Sequence, residues 1–370
     1  MILTQCPVCA AQLPDLTAKQ CSRCKTRYCG PACQKKHWEE GGHANLCKKI
    51  KKGGGAEQYH ANTKYAGAVG AAAMACAEDT RGQTCYICTE AVHRHTGEGL
   101  VRGCACHTTE GFVHISCLAE QAKILVAEAW ENNKDSQWHR WHTCSLCEQK
   151  YHGVVRCALG WACWKTYLGL PETDDTRMDA MTQLGNGLSA AQHHEDALSV
   201  QEAELSMMRR LGASEHNILA VQSNLATTYE KLERDEEALR MRQDVYSARL
   251  ELNGNGHEET LRAANNYAST LNVLKRFEEA KSLLRKTMPV ARRVLGDTVQ
   301  LTLKMRVCYA KALFRDPSAT LDDLREAVNT LEDVGRTARR VLGGAHPLTV
   351  DIEKELRLAA LAAREGTKIN

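Results

Sequence analysis

Between residues 85 and 147 the chain spaces eight potential metal ligands in four short pairs: Cys85-Tyr-Ile-Cys88, Cys104-Ala-Cys106, His114-Ile-Ser-Cys117 and Cys144-Ser-Leu-Cys147. A C-x-x-C or H-x-x-C pair lets two donor atoms of one turn approach one ion, and two pairs complete a tetrahedron. Four pairs in this order fit two zinc sites. The first fifty residues repeat the theme with Cys6-Pro-Val-Cys9, Cys21-Ser-Arg-Cys24, Cys29, Cys33 and His43-Ala-Asn-Leu-Cys47. A segment this short cannot bury a conventional core and needs a metal or disulfide staple.

Redox and charge narrow the class. The chain holds 18 cysteines, and fifteen of them precede residue 150 in metal-ligand spacings, so metal is preferred to the disulfides a secreted protein would favour. No basic-then-apolar leader opens the sequence, and no apolar run reaches the roughly 18 residues of a membrane span. The expected location is cytoplasmic, with the nucleus also open. Fourteen ligating thiolates (−14) against four Zn²⁺ (+8) take the formal charge from +3 to −3. A mildly acidic protein gives no support for nucleic-acid binding. No phosphate loop, dinucleotide fingerprint or nucleophile elbow is present.

The N-terminal pattern, with Gln34 after Cys33 and His37-Trp38 before His43, closely resembles a MYND zinc finger. The resemblance implies interleaved ligands: Cys6, Cys9, Cys29 and Cys33 on one zinc, and Cys21, Cys24, His43 and Cys47 on the other. His37 is the competing donor, at the wrong spacing from Cys47. MYND fingers take short proline-containing peptides; a zinc knob that merely caps the chain is the plainer alternative. The central order, with its single-residue gap at Cys104–Cys106, resembles the RING-CH variant of the RING finger more than a PHD finger. By that resemblance Cys85, Cys88, His114 and Cys117 hold a third ion, and Cys104, Cys106, Cys144 and Cys147 a fourth. His107 has no partner at the right distance.

The RING-CH resemblance implies a ubiquitin-protein ligase that binds a ubiquitin-conjugating enzyme through Ile87, the apolar residue between the first ligand pair. Two positions depart from that pattern. Gln121 stands where RING-CH ligases usually carry tryptophan, and Glu148 where many active RINGs carry a basic residue. A non-enzymatic zinc-finger and repeat scaffold is the alternative.

These sites need elements to position them. Leu118, Ala122, Leu125 and Ala129 predict an amphipathic helix between Cys117 and Cys144, and a second helix is expected over 154–168. Trp130, Trp138 and Trp141 are expected to pack over the last ligands. Gly53-Gly54-Gly55 and the Ala-rich residues after them predict a flexible boundary over 53–80, with helix possible later in it. From about Arg177 the chain repeats: Gly212, Gly254 and Gly296 lie 42 residues apart, each closing an Arg- and Leu-rich run, and Gly343 follows after 47. That period marks a solenoid of helical hairpins. Apolar stripes run through Ile218, Val221, Leu225, Tyr229 and Leu232, and through Ala238, Met241, Val245, Ala248 and Leu252. Pro289 is expected to kink or restart a helix, and a terminal helix is expected over 350–363.

The repeats resemble the long tetratricopeptide repeats of kinesin light chains. Such repeats present a concave face to a peptide or partner helix. Asn224, Asn265 and Asn266, polar residues inside helices, are the candidates for partner binding, or else pack between repeats. The expected fold class is mainly α: two small zinc-stapled fingers followed by an α-solenoid of tetratricopeptide-type hairpins. The expected order is a MYND-type finger (1–52), a Gly/Ala-rich linker (53–80), a RING-CH-type finger with a helical extension (81–170) and a helical repeat domain (171–370). Four zinc ions and protein partners, namely a conjugating enzyme and peptide segments of substrates, complete the expectation.

Overall fold

The computed structural model describes residues 3–13, 17–104, 106, 111–132, 136–344 and 346–369, with side chains to Glu365. Two compact units divide the chain, Met1–Asn224 and Leu225–Asn370. Among the described residues the protein is mainly α, with one two-stranded sheet.

The first unit opens with antiparallel β1 (Lys19–Gln20) and β2 (Arg27–Tyr28), then α1 (Pro31–Glu39) and α2 (His43–Lys52). Cys6, Leu13, Cys21, Cys24, Tyr28, Cys47 and Ile50 are buried together. So small a core, half of it cysteine, cannot hold itself without a staple.

The segment expected to be a flexible linker is instead α3 (Ala56–Ala75). The glycines before it act through geometry: Gly54 and Gly55 take φ of 90° and 98°, which turns the chain. The Ala56 amide then bonds the Cys24 carbonyl at 3.0 Å, and alanine, the best helix former, carries the helix on. Val69 and Ala72 of this helix, and Cys76 at its end, share one core with Leu100, Val101, Phe112, Ile115, Val155 and Leu159. The first finger is thereby joined to the second by packed helix.

The expected helices of the central region are α4 (Ile115–Glu131) and α5 (Gly153–Tyr167), with a 3-10 turn at Trp138–Trp141 between them. Cys157, Trp161, Cys163 and Trp164 are buried on α5. Helices α6 (Asp175–Ala190) and α7 (His194–Leu211) also belong to the unit, which therefore runs past residue 170. Helix α5 crosses α6 at close range. A Cβ on Gly160 would lie 2.9 Å from the Gln183 carbonyl oxygen, and one on Gly187 2.8 Å from that of Arg156, so both positions require glycine.

Glu204 of α7 is 1% exposed and accepts a hydrogen bond from the Thr182 hydroxyl. Burial pushes its carboxyl up to about 8, with Asp179 adding to the rise against that hydrogen bond. An unfolded glutamate releases its proton near pH ~4.3, whereas the folded one keeps it to about 8. Stability from this group is therefore full below the lower value and falls as pH rises through the window. Glu204→Gln is expected to flatten the decline of Tm between about pH 5 and 8 and to raise Tm at pH 8. A thermal scan series with wild-type slope would contradict this.

The second unit holds most of the repeats. Helix α8 (Glu215–Lys231) spans the division, and α9 (Asp235–Asn253), α10 (Glu258–Val273), α11 (Phe277–Val294), α12 (Gln300–Phe314), α13 (Leu321–Leu342) and α14 (Pro347–Ile369) follow as linked hairpins. The periodic glycines Gly212, Gly254, Gly296 and Gly343 all have positive φ just beyond a second helix, a backbone conformation that glycine takes without strain and that ends the helix. The longer fourth period comes from the connection 315–320 and from α13, 22 residues long and opened by a Thr320–Asp323 capping box. Leu261, Leu284, Leu303, Leu331, Val334 and Ile352 form its core.

Two expectations are corrected. Of the kink or restart expected at Pro289, the restart does not occur: α11 runs unbroken through it, with Leu284, Thr287 and Ala291 holding the helix on both sides of the ring. Leu252, placed on a buried stripe, is 47% exposed, while Arg242 and Arg249 are buried on α9. The Arg242 guanidinium lies 3.2 Å from Glu230, whose carboxylate also accepts from Thr270 at 2.5 Å. A polar network, invisible to hydropathy, fills that part of the interface between helices.

Candidate metal centres and interaction surfaces

Four ligand clusters assemble: Cys6, Cys9, Cys29, Cys33; Cys21, Cys24, His43, Cys47; Cys85, Cys88, His114, Cys117; and Cys104, Cys106, Cys144, Cys147. Within each, the donor atoms lie within 4.8 Å of one another. These are the interleaved groupings that the two resemblances imply.

Local geometry explains how. The residue after each C-x-x-C pair is left-handed, with φ of 57° at Ala10, 64° at Lys25, 64° at Thr89 and 54° at Glu148. Each donates its amide to the carbonyl of the first cysteine, at 2.8–3.0 Å. The first cysteine's own amide reaches forward five residues, as from Cys85 to the Glu90 carbonyl at 3.0 Å. The turn so closed aims both sulfurs to one side. Helix α1 carries Cys33, α2 carries His43 and Cys47, and Cys117 sits in the first turn of α4.

The donor sets fit zinc. None of the 18 cysteines forms a disulfide, and neighbouring sulfurs stand 3.5 Å (Cys9–Cys29), 3.9 Å (Cys21–Cys47), 3.3 Å (Cys104–Cys106) and 3.8 Å (Cys106–Cys144) apart. A disulfide requires about 2.05 Å. A tetrahedron with Zn–S near 2.3 Å has edges of about 3.8 Å. His43 offers Nε2, 3.4 Å from Cys24 Sγ, whereas His114 offers Nδ1, 3.4 Å from Cys88 Sγ. His37 stands outside the clusters, its Nδ1 3.1 Å from the Tyr28 hydroxyl. His107 lies outside the described residues.

Beside the third cluster a groove of about 630 Å³ runs along α4, lined by Ile87, Ser116, Glu120, Gln121 and Ile124. Ile87 is 37% exposed, Ile124 46%, and Leu146 on the last knuckle 46%. Glu148 bonds Arg140 at 2.9 Å. Trp141 is buried and packs with Trp138 at 6.4 Å and Tyr167 at 5.7 Å between ring centres. Trp130 is 54% exposed, contrary to the packing expected of it, since it falls on the outer face of α4.

In the second unit α10, α12 and α14 line a cleft of about 340 Å³ with Asn265, Asn272, Lys304, Lys311, Arg315 and Asp351. The side-chain oxygens of Asn265 and Asn272 are buried with no hydrogen-bond partner. Of the three asparagines singled out from the sequence, only Asn265 lines it. Asn266 and Asn224 are half-buried elsewhere. Asn272 carries the same helix-interior signal in the sequence, and nothing local marks the cations of α12.

Residues 6–47 match the MYND finger family. The MYND finger therefore covers the first two clusters. Residues 218–259 and 260–298 match the tetratricopeptide repeat family, and the central clusters lie outside both matches. The fold is similar to that of BtubC (BKLC) from P. vanneervenii, at TM-score 0.45 and 13% identity over 69% of this chain and 86% of that one. It is also similar to nearly identical TPR-like repeats assigned to a kinesin light chain of Podosopora anserina, at TM-score 0.43 and 18% identity over 61% of this chain and 97% of that one. A comparison with curated proteins finds no match. With a MYND zinc finger and tetratricopeptide repeats, the chain has the architecture of a protein-interaction protein. Among the described residues no helix is long and apolar enough to cross a membrane.

Proposed function

We propose that this protein is a RING-CH-type ubiquitin-protein ligase of the cytoplasm or nucleus. Its central finger, within residues 81–170, recruits a ubiquitin-conjugating enzyme. The MYND finger (1–52) and the repeats (171–370) take peptide segments of substrates, the repeats through the cleft at Asn265. The observation that carries the reading is the exposed Ile87 at the rim of an apolar groove against α4. Soluble proteins seldom present large apolar residues together in a groove without a partner for it.

Four zinc ions would cross-link the knuckles and supply structure alone. The finger's own residues perform no acid–base or nucleophilic step. They hold the conjugating enzyme so that thioester and acceptor lysine meet, which is rate enhancement by proximity and orientation. A scaffold without ligase activity is favoured by two observations: Gln121 in the usual tryptophan position, and Glu148, bonded to Arg140, in the usual basic one.

The test is discharge of ubiquitin from a panel of charged conjugating enzymes by the full zinc-loaded chain. Wild type is expected to stimulate discharge, and Ile87→Ala to lower the stimulation about tenfold, as for a central apolar anchor. Absence of both binding and stimulation across the panel would leave the scaffold.

A further inference from the structure

The two outer knuckles of the central region are built alike. In Cys85-Tyr86-Ile87-Cys88 and in Cys144-Ser145-Leu146-Cys147 the third residue is apolar and exposed, at 37% and 46%. The second residue turns inward. Tyr86 Oη lies 3.3 Å from Ser145 Oγ, and Ser145 Oγ lies 3.4 Å from Gln121 Oε1 on α4. The polarity is consistent along the chain: the phenol donates to the serine oxygen, and the serine hydroxyl donates to the amide oxygen. The Tyr86 amide also bonds the Phe112 carbonyl at 3.0 Å, which fixes the root of that side chain.

This bridge matters because the knuckles belong to different ligand clusters, Cys85 and Cys88 to one and Cys144 and Cys147 to the other. Neither metal centre sets the distance between them. Each apolar tip is rigid on its own base, while their separation depends on what lies between the bases. A partner that must touch Ile87 and Leu146 together would lose part of its binding energy if that separation varied.

We infer that Tyr86, Ser145 and Gln121 are positioning residues that hold the two knuckles at one separation, so that Ile87 and Leu146 meet the conjugating enzyme as a single preorganised surface. The inference rests on the ligase reading. It also gives Gln121 a task in this chain, as the anchor of the bridge on α4.

The experiment measures affinity of the full zinc-loaded chain for purified conjugating enzymes, beside zinc content and Tm. Tyr86→Phe and Ser145→Ala are each expected to weaken binding about three- to tenfold. The double variant is expected to be no weaker than Ser145→Ala, because either change breaks the same link. Ser145→Thr keeps the hydroxyl and is expected to retain wild-type affinity. Unchanged affinity in both single variants, fully additive losses, or losses that follow a fall in Tm and persist in Ser145→Thr would overturn the inference. If Ile87→Ala weakens binding while Tyr86→Phe and Ser145→Ala do not, the inference alone fails. If wild type binds no enzyme of the panel, or Ile87→Ala binds as well as wild type, the ligase reading fails and takes the inference with it.

Discussion

Stripping zinc from the full chain with a strong chelator is expected to unfold the described part of residues 3–224 and to leave the helical core of 225–369 protected. Structural zinc contributes about 10–16 kcal/mol to folding in isolated fingers, whereas a whole domain has only about 5–15 kcal/mol of stability. Loss of one such ion is comparable to everything the unit has. The loss also spreads. Cys85, Cys104, Cys117 and Cys144 sit in the same buried cluster as Val69 and Ala72 of α3 and Leu159 of α5, so disordering the knuckles exposes both helices. The second unit has a separate core around Leu284, Leu303 and Leu331 and contains none of the four ligand clusters. Hydrogen exchange resolved by peptide is the measurement. Protection lost equally in both units, or kept in α3 and α5, would refute the partition.

Trp164→Ala is expected to cost the first unit about 3–5 kcal/mol, the range for deleting a fully buried tryptophan. Its ring is 0% exposed, and the Arg177 guanidinium lies over it at 5.6 Å. That arginine bonds the carbonyls of Leu168 (2.6 Å) and Leu170 (2.7 Å) and pairs with Glu57 of α3 at 3.7 Å. The cavity would open where three elements meet: the end of α5, the start of α6 and the first turn of α3. Trp164→Phe provides the control. The indole N–H is buried without a partner, so phenylalanine removes an unsatisfied donor while keeping most of the ring. Denaturant unfolding, followed through the exchange of residues 153–190, should show a large loss for alanine and a much smaller one for phenylalanine. Equal losses would mean that the ring volume is not what matters.

Much of this architecture is legible in one dimension because its causes are local. A zinc knuckle needs two donors three residues apart and a turn after them, so the spacing of Cys6–Cys9 or Cys144–Cys147 already states the geometry. The repeats announce themselves through glycines at the ends of helices, since only glycine takes a left-handed stop without strain. Stripes such as Val221 and Leu225 follow from the 3.6-residue turn.

Other features of the fold have distant causes. Gly53-Gly54-Gly55 has the composition of a flexible tether. What makes it a turn into α3 is the Cys24 carbonyl waiting for the Ala56 amide, 32 residues away in sequence. Arg242 and Arg249 are polar by hydropathy, yet both lie inside, and for Arg242 the partners are Glu230 and Thr227, which reach it once the hairpins stack. Asn272, Lys304 and Arg315 meet in one cleft only through the pairing of α10 and α12. The ligand types, their spacing and the repeat period were thus determined by the sequence alone. Which charged residues are buried, whether the Ala-rich segment packs, and how Tyr86, Ser145 and Gln121 come together were decided by tertiary structure. Those outcomes depend on partners distant in the chain, and a local pattern carries no record of them.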